Sequence, residues 1–90
     1  MAEPQRPLIL LVEDEPQIRR LLRAAFEVEG YRSVEAPVGR RGTIDAATHK
    51  PDLAIIDLGL PDMDGVDVVR RIRGRCNYRF LGSDASAKKT

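Results

Sequence analysis

Two stretches of this chain are apolar without interruption: Leu8-Ile9-Leu10-Leu11-Val12 and Leu53-Ala54-Ile55-Ile56. Short apolar runs without alternation fit strands buried on both faces, as in a parallel sheet. Between and after them the period changes. From Pro16, the residues Ile18, Leu21, Leu22, Ala25, Phe26 and Val28 recur at three- and four-residue steps, with Arg19, Arg20, Arg23 and Glu27 between them. That spacing predicts an amphipathic helix of about four turns. Pro16 suits its first turn and Gly30 its C-terminal cap.

Arg32–Glu35 alternates weakly and predicts a short strand. Val38–Thr48 predicts a second helix, with Ile44, Ala47 and Val38 facing inward, although Gly39 and Gly42 weaken it. Lys50-Pro51-Asp52 is a turn. Val66, Val68, Val69 and Ile72 mark a third helix running to about Arg75. The order is β-α-β-α-β-α, which implies a parallel sheet with right-handed crossovers. Placing the two apolar strands centrally and the weak one at an edge gives the sheet order 2-1-3. From Cys76 the patterning fails. Asn77–Leu81 is a candidate short strand, and Gly82–Thr90 is small and polar, expected to be mobile. The expected organisation is a polar arm over 1–7, a body over 8–75 and an atypical basic tail over 76–90.

Charge sharpens that division. Residues 1–69 hold 8 Lys/Arg against 13 Asp/Glu, and residues 70–90 hold 7 against 1. The body is therefore acidic, which disfavours nucleic acid as its main ligand and suits a cation. A lone cysteine, Cys76, excludes an internal disulfide and fits a reducing cytoplasm. The apolar runs are too short to span a membrane, and the first residues lack a hydrophobic signal region.

Both buried strands end in acid: Val12 is followed by Glu13-Asp14-Glu15, and Ile56 by Asp57. Open α/β sheets keep their sites at the carboxyl ends of their strands, and the order 2-1-3 sets Glu13, Asp14 and Asp57 side by side there. Clustered carboxylates take up a proton or bind a cation. A purely oxygen donor set selects a hard ion such as Mg2+, with a backbone carbonyl such as that of Gly59 available to complete the shell. A carboxylate beside Mg2+ is suited to accept a phosphoryl group. Asp57, the lone acid on its strand, is the candidate nucleophile, with Asp14 as metal ligand and Glu13 as a second one through water. Acids in these places could instead cap the following helices, but capping does not account for acids ending two separate buried strands. Asp64, just before Gly65, is expected to cap the third helix, and Asp62 to be plain loop. His49 reads as a surface histidine. Cys76 has basic neighbours that could lower its pKa, and otherwise reads as a bystander. No G-x-G-x-x-G or P-loop sequence occurs.

Leu-Val-Glu-Asp-Glu at 11–15 and Asp-Leu-Gly-Leu-Pro-Asp-Met-Asp-Gly at 57–65 resemble the receiver domain of two-component response regulators, and most closely its Kdp-type potassium-responsive branch. The resemblance covers residues 8 to about 75. It implies a flavodoxin-like (CheY-like) doubly wound α/β fold. It also implies a phosphoacceptor signalling module rather than an enzyme. A sensor histidine kinase would donate the phosphoryl group to Asp57, with Mg2+ held by Asp14, Asp57, the Gly59 carbonyl and, less directly, Glu13. Receivers have five βα units, whereas three are legible here, plus a possible degraded fourth strand. Of the family's switch residues, Ser83 stands as the candidate hydroxyl, and no lysine can be assigned. The chain reads as truncated, with impaired switching, without the branch's DNA-binding domain, cytoplasmic, and prone to pair through an exposed third strand. The competing expectation is a non-catalytic interaction fragment that pairs with a full-length response regulator or another partner.

Overall fold

A computed structural model of the chain describes residues 6–81. The elements run β1 (Leu8–Val12), α1 (Pro16–Val28), β2 (Arg32–Ala36), α2 (Gly39–His49), β3 (Leu53–Ile56), α3 (Gly65–Ile72) and β4 (Asn77–Phe80). The four strands form one sheet in the order β2-β1-β3-β4, and every pairing is parallel.

β1 sits centrally because every one of its residues is apolar, and all five are buried. Its register against β3 is pinned at the start of the strands. The N–H of Leu8 donates to Asp52 Oδ2 at 2.8 Å, and the N–H of Asp52 donates to the Leu8 carbonyl at 2.8 Å. Leu10, Val12, Ala54 and Ile56 pack with Ala46 of α2 and with Val68, Val69 and Ile72 of α3 in one core. α1 has no buried residue. Leu21 is 70% exposed and Val28 84% exposed, so α1 presents more apolar surface than the sheet takes up.

Several expectations need correcting. The third strand is not an edge: β4 pairs along its whole length, and the N–H of Leu81 donates to the Ile56 carbonyl at 2.8 Å. The candidate strand over Asn77–Leu81 is present as β4, Asn77–Phe80, and carries the sheet past β3. Arg79 fits there because β4 is the outer strand of the described sheet and Arg79 is exposed. In α2 the inward residues are Gly39, Gly42, Asp45 and Ala46, while Ile44 and Ala47 point out. The helix lies so close to β1 that a Cβ on Gly42 would stand 2.7 Å from Val12 Cγ2. The glycines that weaken helix propensity are thus what permits the approach. α3 is shorter than expected, stopping at Ile72, and Val66 is exposed. Gly30 follows α1 with φ +88°, a left-handed turn that glycine adopts freely. Residues 82–90, Ser83 included, lie outside the described residues.

Candidate functional site

The carboxyl ends of β1 and β3 form the site. The parallel ladder continues one residue past each strand: the N–H of Glu13 donates to the Ala36 carbonyl at 3.1 Å, and that of Asp57 to the Val12 carbonyl at 2.9 Å. Both acids are thereby held at the rim by backbone bonds. Oxygen atoms of Glu13, Asp14 and Asp57 lie within 4.8 Å of one another. Glu13 is 3% and Asp57 5% exposed, while Asp14 is open to solvent.

Glu13 bears the cost of this crowding. Its pKa is pushed up to about 7, first because burial penalises the charge, with the Asp57 and Asp14 charges acting in the same direction. The N–H of Glu15, donating to Oε2 at 3.0 Å, opposes the rise. The other oxygen, Oε1, is buried and has no hydrogen-bond donor among the described residues. An orphaned buried carboxylate oxygen is costly unless a cation or proton satisfies it. The donors are all hard oxygens with one side open to water, so the set fits Mg2+.

The loop from Asp57 to Gly65 is bound down at several points. The N–H of Gly59 donates to Asp57 Oδ1 at 3.2 Å, and the N–H of Gly65 donates to the Leu58 carbonyl at 3.3 Å. Gly65 has no room for a side chain: a Cβ would stand 2.8 Å from the Asp57 carbonyl oxygen. Asp64 occupies the N-cap position of α3 but makes no side-chain cap bond. Asp62, read from sequence as plain loop, does cap a helix, and it is α2. The N–H groups of Gly39 and Arg40 donate to its two carboxylate oxygens at 2.7 and 2.8 Å. The available signal was Val38, which stands at the N-cap of α2 and cannot cap.

Arg19 was also missed. It donates to the Glu13 carbonyl at 2.7 Å and pairs with Glu35 Oε1 at 3.2 Å, tying α1 to the rim and to β2. His49 is exposed at the end of α2, away from the cluster. Burial raises the Cys76 thiol pKa; the basic neighbours do not lower it, and the thiol is not activated.

A parallel sheet in the order 2-1-3-4 with an acidic cluster over the ends of its first and third strands defines the flavodoxin-like class of acid-pocket domains. Residues 9–80 match the response regulator receiver domain family, and the chain belongs to that family, whose receiver domains are the phosphoacceptors of two-component systems. It is 55% identical over 65 residues to the KDP operon transcriptional regulatory protein KdpE of Escherichia coli K12, covering 72% of this chain and 29% of that protein. It is 49% identical over 67 residues to the transcriptional regulatory protein KdpE of Mycobacterium tuberculosis H37Rv, covering 74% of this chain and 30% of that protein. The chain thus spans less than a third of the length of these relatives. Among solved structures it resembles the receiver domain of a sensor histidine kinase from Pseudomonas aeruginosa PAO1. The match has a TM-score of 0.80 and 29% identity, and covers 90% of this chain and 70% of that one. That crystal structure has a magnesium ion coordinated in the active site cleft. No helix among the described residues is long and apolar enough to cross a membrane.

Proposed function

We propose that Asp57 is the phosphoacceptor of this receiver domain, that a sensor histidine kinase is its donor and that the chain works in the cytoplasm. The observation that carries the reading is the convergence of Glu13, Asp14 and Asp57 within 4.8 Å, with an orphaned oxygen on Glu13. Mg2+ would be held by Asp14, Asp57 and the Gly59 carbonyl, with Glu13 acting through water. When bound, it supplies positive charge to offset the transferring phosphoryl oxygens. In the step itself, a carboxylate oxygen of Asp57 forms a bond to phosphorus as the phosphorus–nitrogen bond of the donor histidine breaks. The imidazole nitrogen keeps the electron pair and takes up a proton. Asp57 is suited to this role because backbone bonds hold it at the rim and Gly59 orients its Oδ1. The chain accepts the group stoichiometrically and turns nothing over, so it acts as a signalling domain and not as an enzyme.

The test is intact-mass measurement after incubation with acetyl phosphate. Wild-type protein gains one phosphoryl group when Mg2+ is present, and Asp57→Asn gains none. A folded wild-type protein with no adduct refutes the assignment.

A second reading, association with another chain, is favoured by one observation: Leu21 and Val28 on α1 are 70% and 84% exposed. Pull-down with wild type and Asp57→Ala separates the two readings, because association through α1 is indifferent to Asp57.

A further inference from the structure

The loop between β3 and α3 carries both Asp57's flank and Gly59, yet its middle is anchored to a different helix. Val38 stands at the N-cap of α2 in an extended conformation, φ −139° and ψ 162°, and makes no side-chain cap bond. The first turn of α2 also contains no acidic residue. Both deficits are met from across the site by Asp62, which accepts from Gly39 N–H at 2.7 Å and Arg40 N–H at 2.8 Å. These two amides and the charge of Arg40 hold its carboxyl below the usual carboxylate range. The next residue reinforces the contact: Met63 lies against Gly39 so closely that a Cβ there would stand 2.4 Å from its Cγ.

We propose that Asp62 is a positioning residue for the metal site, clamping the Asp57–Gly65 loop, and with it the Gly59 carbonyl, to the N-terminus of α2. The inference rests on the assignment of Gly59 as a metal ligand. A two-point anchor on the loop's middle restricts where Gly59 can lie relative to Asp57, so the ligand set is formed before the ion arrives. Losing a group that holds a ligand in place lowers metal affinity by about tenfold at the low end. Both oxygens of the Asp62 carboxylate are taken up by the amides of Gly39 and Arg40, so its effect on the site runs through the loop backbone.

A helix cap could have the same sequence signature without this role, and two variants distinguish them. Asp62→Ala removes both the cap and the clamp. Asp62→Ala combined with Val38→Thr restores a hydroxyl at the α2 N-cap on a side chain of nearly the same shape, but leaves the loop unclamped. The full chain is titrated with Mg2+ and followed by amide chemical shifts, and amide hydrogen exchange is measured on the metal-free protein. In Asp62→Ala, the Mg2+ dissociation constant rises about tenfold, and exchange quickens at Gly39, Arg40, Gly59 and Leu60. In the double variant, protection returns at Arg40, the second helical residue within reach of a hydroxyl at the N-cap, while Gly59 exchange stays fast and Mg2+ binding stays weak. Asp62→Asn, which keeps an acceptor, recovers part of the affinity. If the double variant binds Mg2+ as wild type does, or if Asp62→Ala is unchanged, Asp62 is only a cap and the proposal is overturned. Wild type that shows no Mg2+ shifts at Asp14, Asp57 and Gly59 removes the metal-site reading itself, a separate result from equal binding by wild type and variant.

Discussion

The N–H of Asp57 donates to the carbonyl of Val12 at 2.9 Å, so the Asp57 carboxylate is placed by the backbone of the strand that leads into Glu13. Two acids far apart in sequence are set side by side by ladder geometry, with no need for attraction between them. The cluster therefore exists despite its electrostatics, and the consequences are measurable.

Glu13 makes metal-free stability fall with pH. In the unfolded chain its carboxyl ionises at about 4.5, and in the fold at about 7. The folded state thus holds an extra proton between those values. This contribution is complete below 4.5 and lost as pH rises through 7. Chemical denaturation in EDTA across pH 5 to 8 should show it, and it should vanish in Glu13→Gln. Apparent Mg2+ affinity should move the opposite way, rising to a plateau above about pH 7, because proton and ion compete for the same oxygens.

Neutralising one member of the cluster should trade function for stability. Above pH 7.5 and without metal, Glu13→Gln is expected to be more stable than wild type by about 1 kcal/mol, the scale of one pKa unit. Its Mg2+ affinity should be lower. Thermal melts with EDTA and with excess Mg2+ check both signs, and the two variants should cross over.

Gly65 and Gly39 should respond unequally to alanine. A Cβ at Gly65 meets backbone, the Asp57 carbonyl oxygen at 2.8 Å and Leu58 Cα at 2.9 Å. At Gly39 it meets side chains only, Met63 Cγ at 2.4 Å and Sδ at 2.9 Å and Val68 Cγ2 at 3.0 Å. Gly65→Ala should cost about 1–3 kcal/mol, as overpacking does, and should slow phosphorylation by displacing the Asp57 backbone. Gly39→Ala should cost less, because Met63 can change rotamer. Urea denaturation of both variants ranks them.

The strands and the acidic rim were legible in the sequence because apolar runs ending in acid are signals local to a few residues. Helix faces were less so. Ile44 and Ala47 look like core by spacing, but the close contact of Gly42 with Val12 rotates α2 so that Asp45 and Ala46 turn inward. Asp45 is accommodated there by Arg41 at 3.2 Å. β4 was legible only as a candidate, because Asn77–Phe80 mixes Asn and Arg with its aromatics; exposed Arg79 suits the outer strand of the described sheet. Asp62 was missed for a different reason: its partners are the amides of Gly39 and Arg40, and no local pattern reports a bond between distant segments.

The outward face of α1 should govern solution behaviour. Contiguous exposed apolar residues favour association, so sedimentation should show concentration-dependent self-association. Replacing Leu21 and Val28 together with lysine should reduce it. Because both side chains are largely exposed, thermal stability should change by only about 0.5 kcal/mol.

The most apolar strand is synthesised before both of its neighbours, yet it occupies the interior of the sheet between β2 and β3. Leu8–Val12 cannot close its second ladder until Leu53–Ile56 has been synthesised. Throughout that interval the nascent chain displays a greasy ribbon with one side unpaired, a natural substrate for chaperones that grip extended apolar peptides.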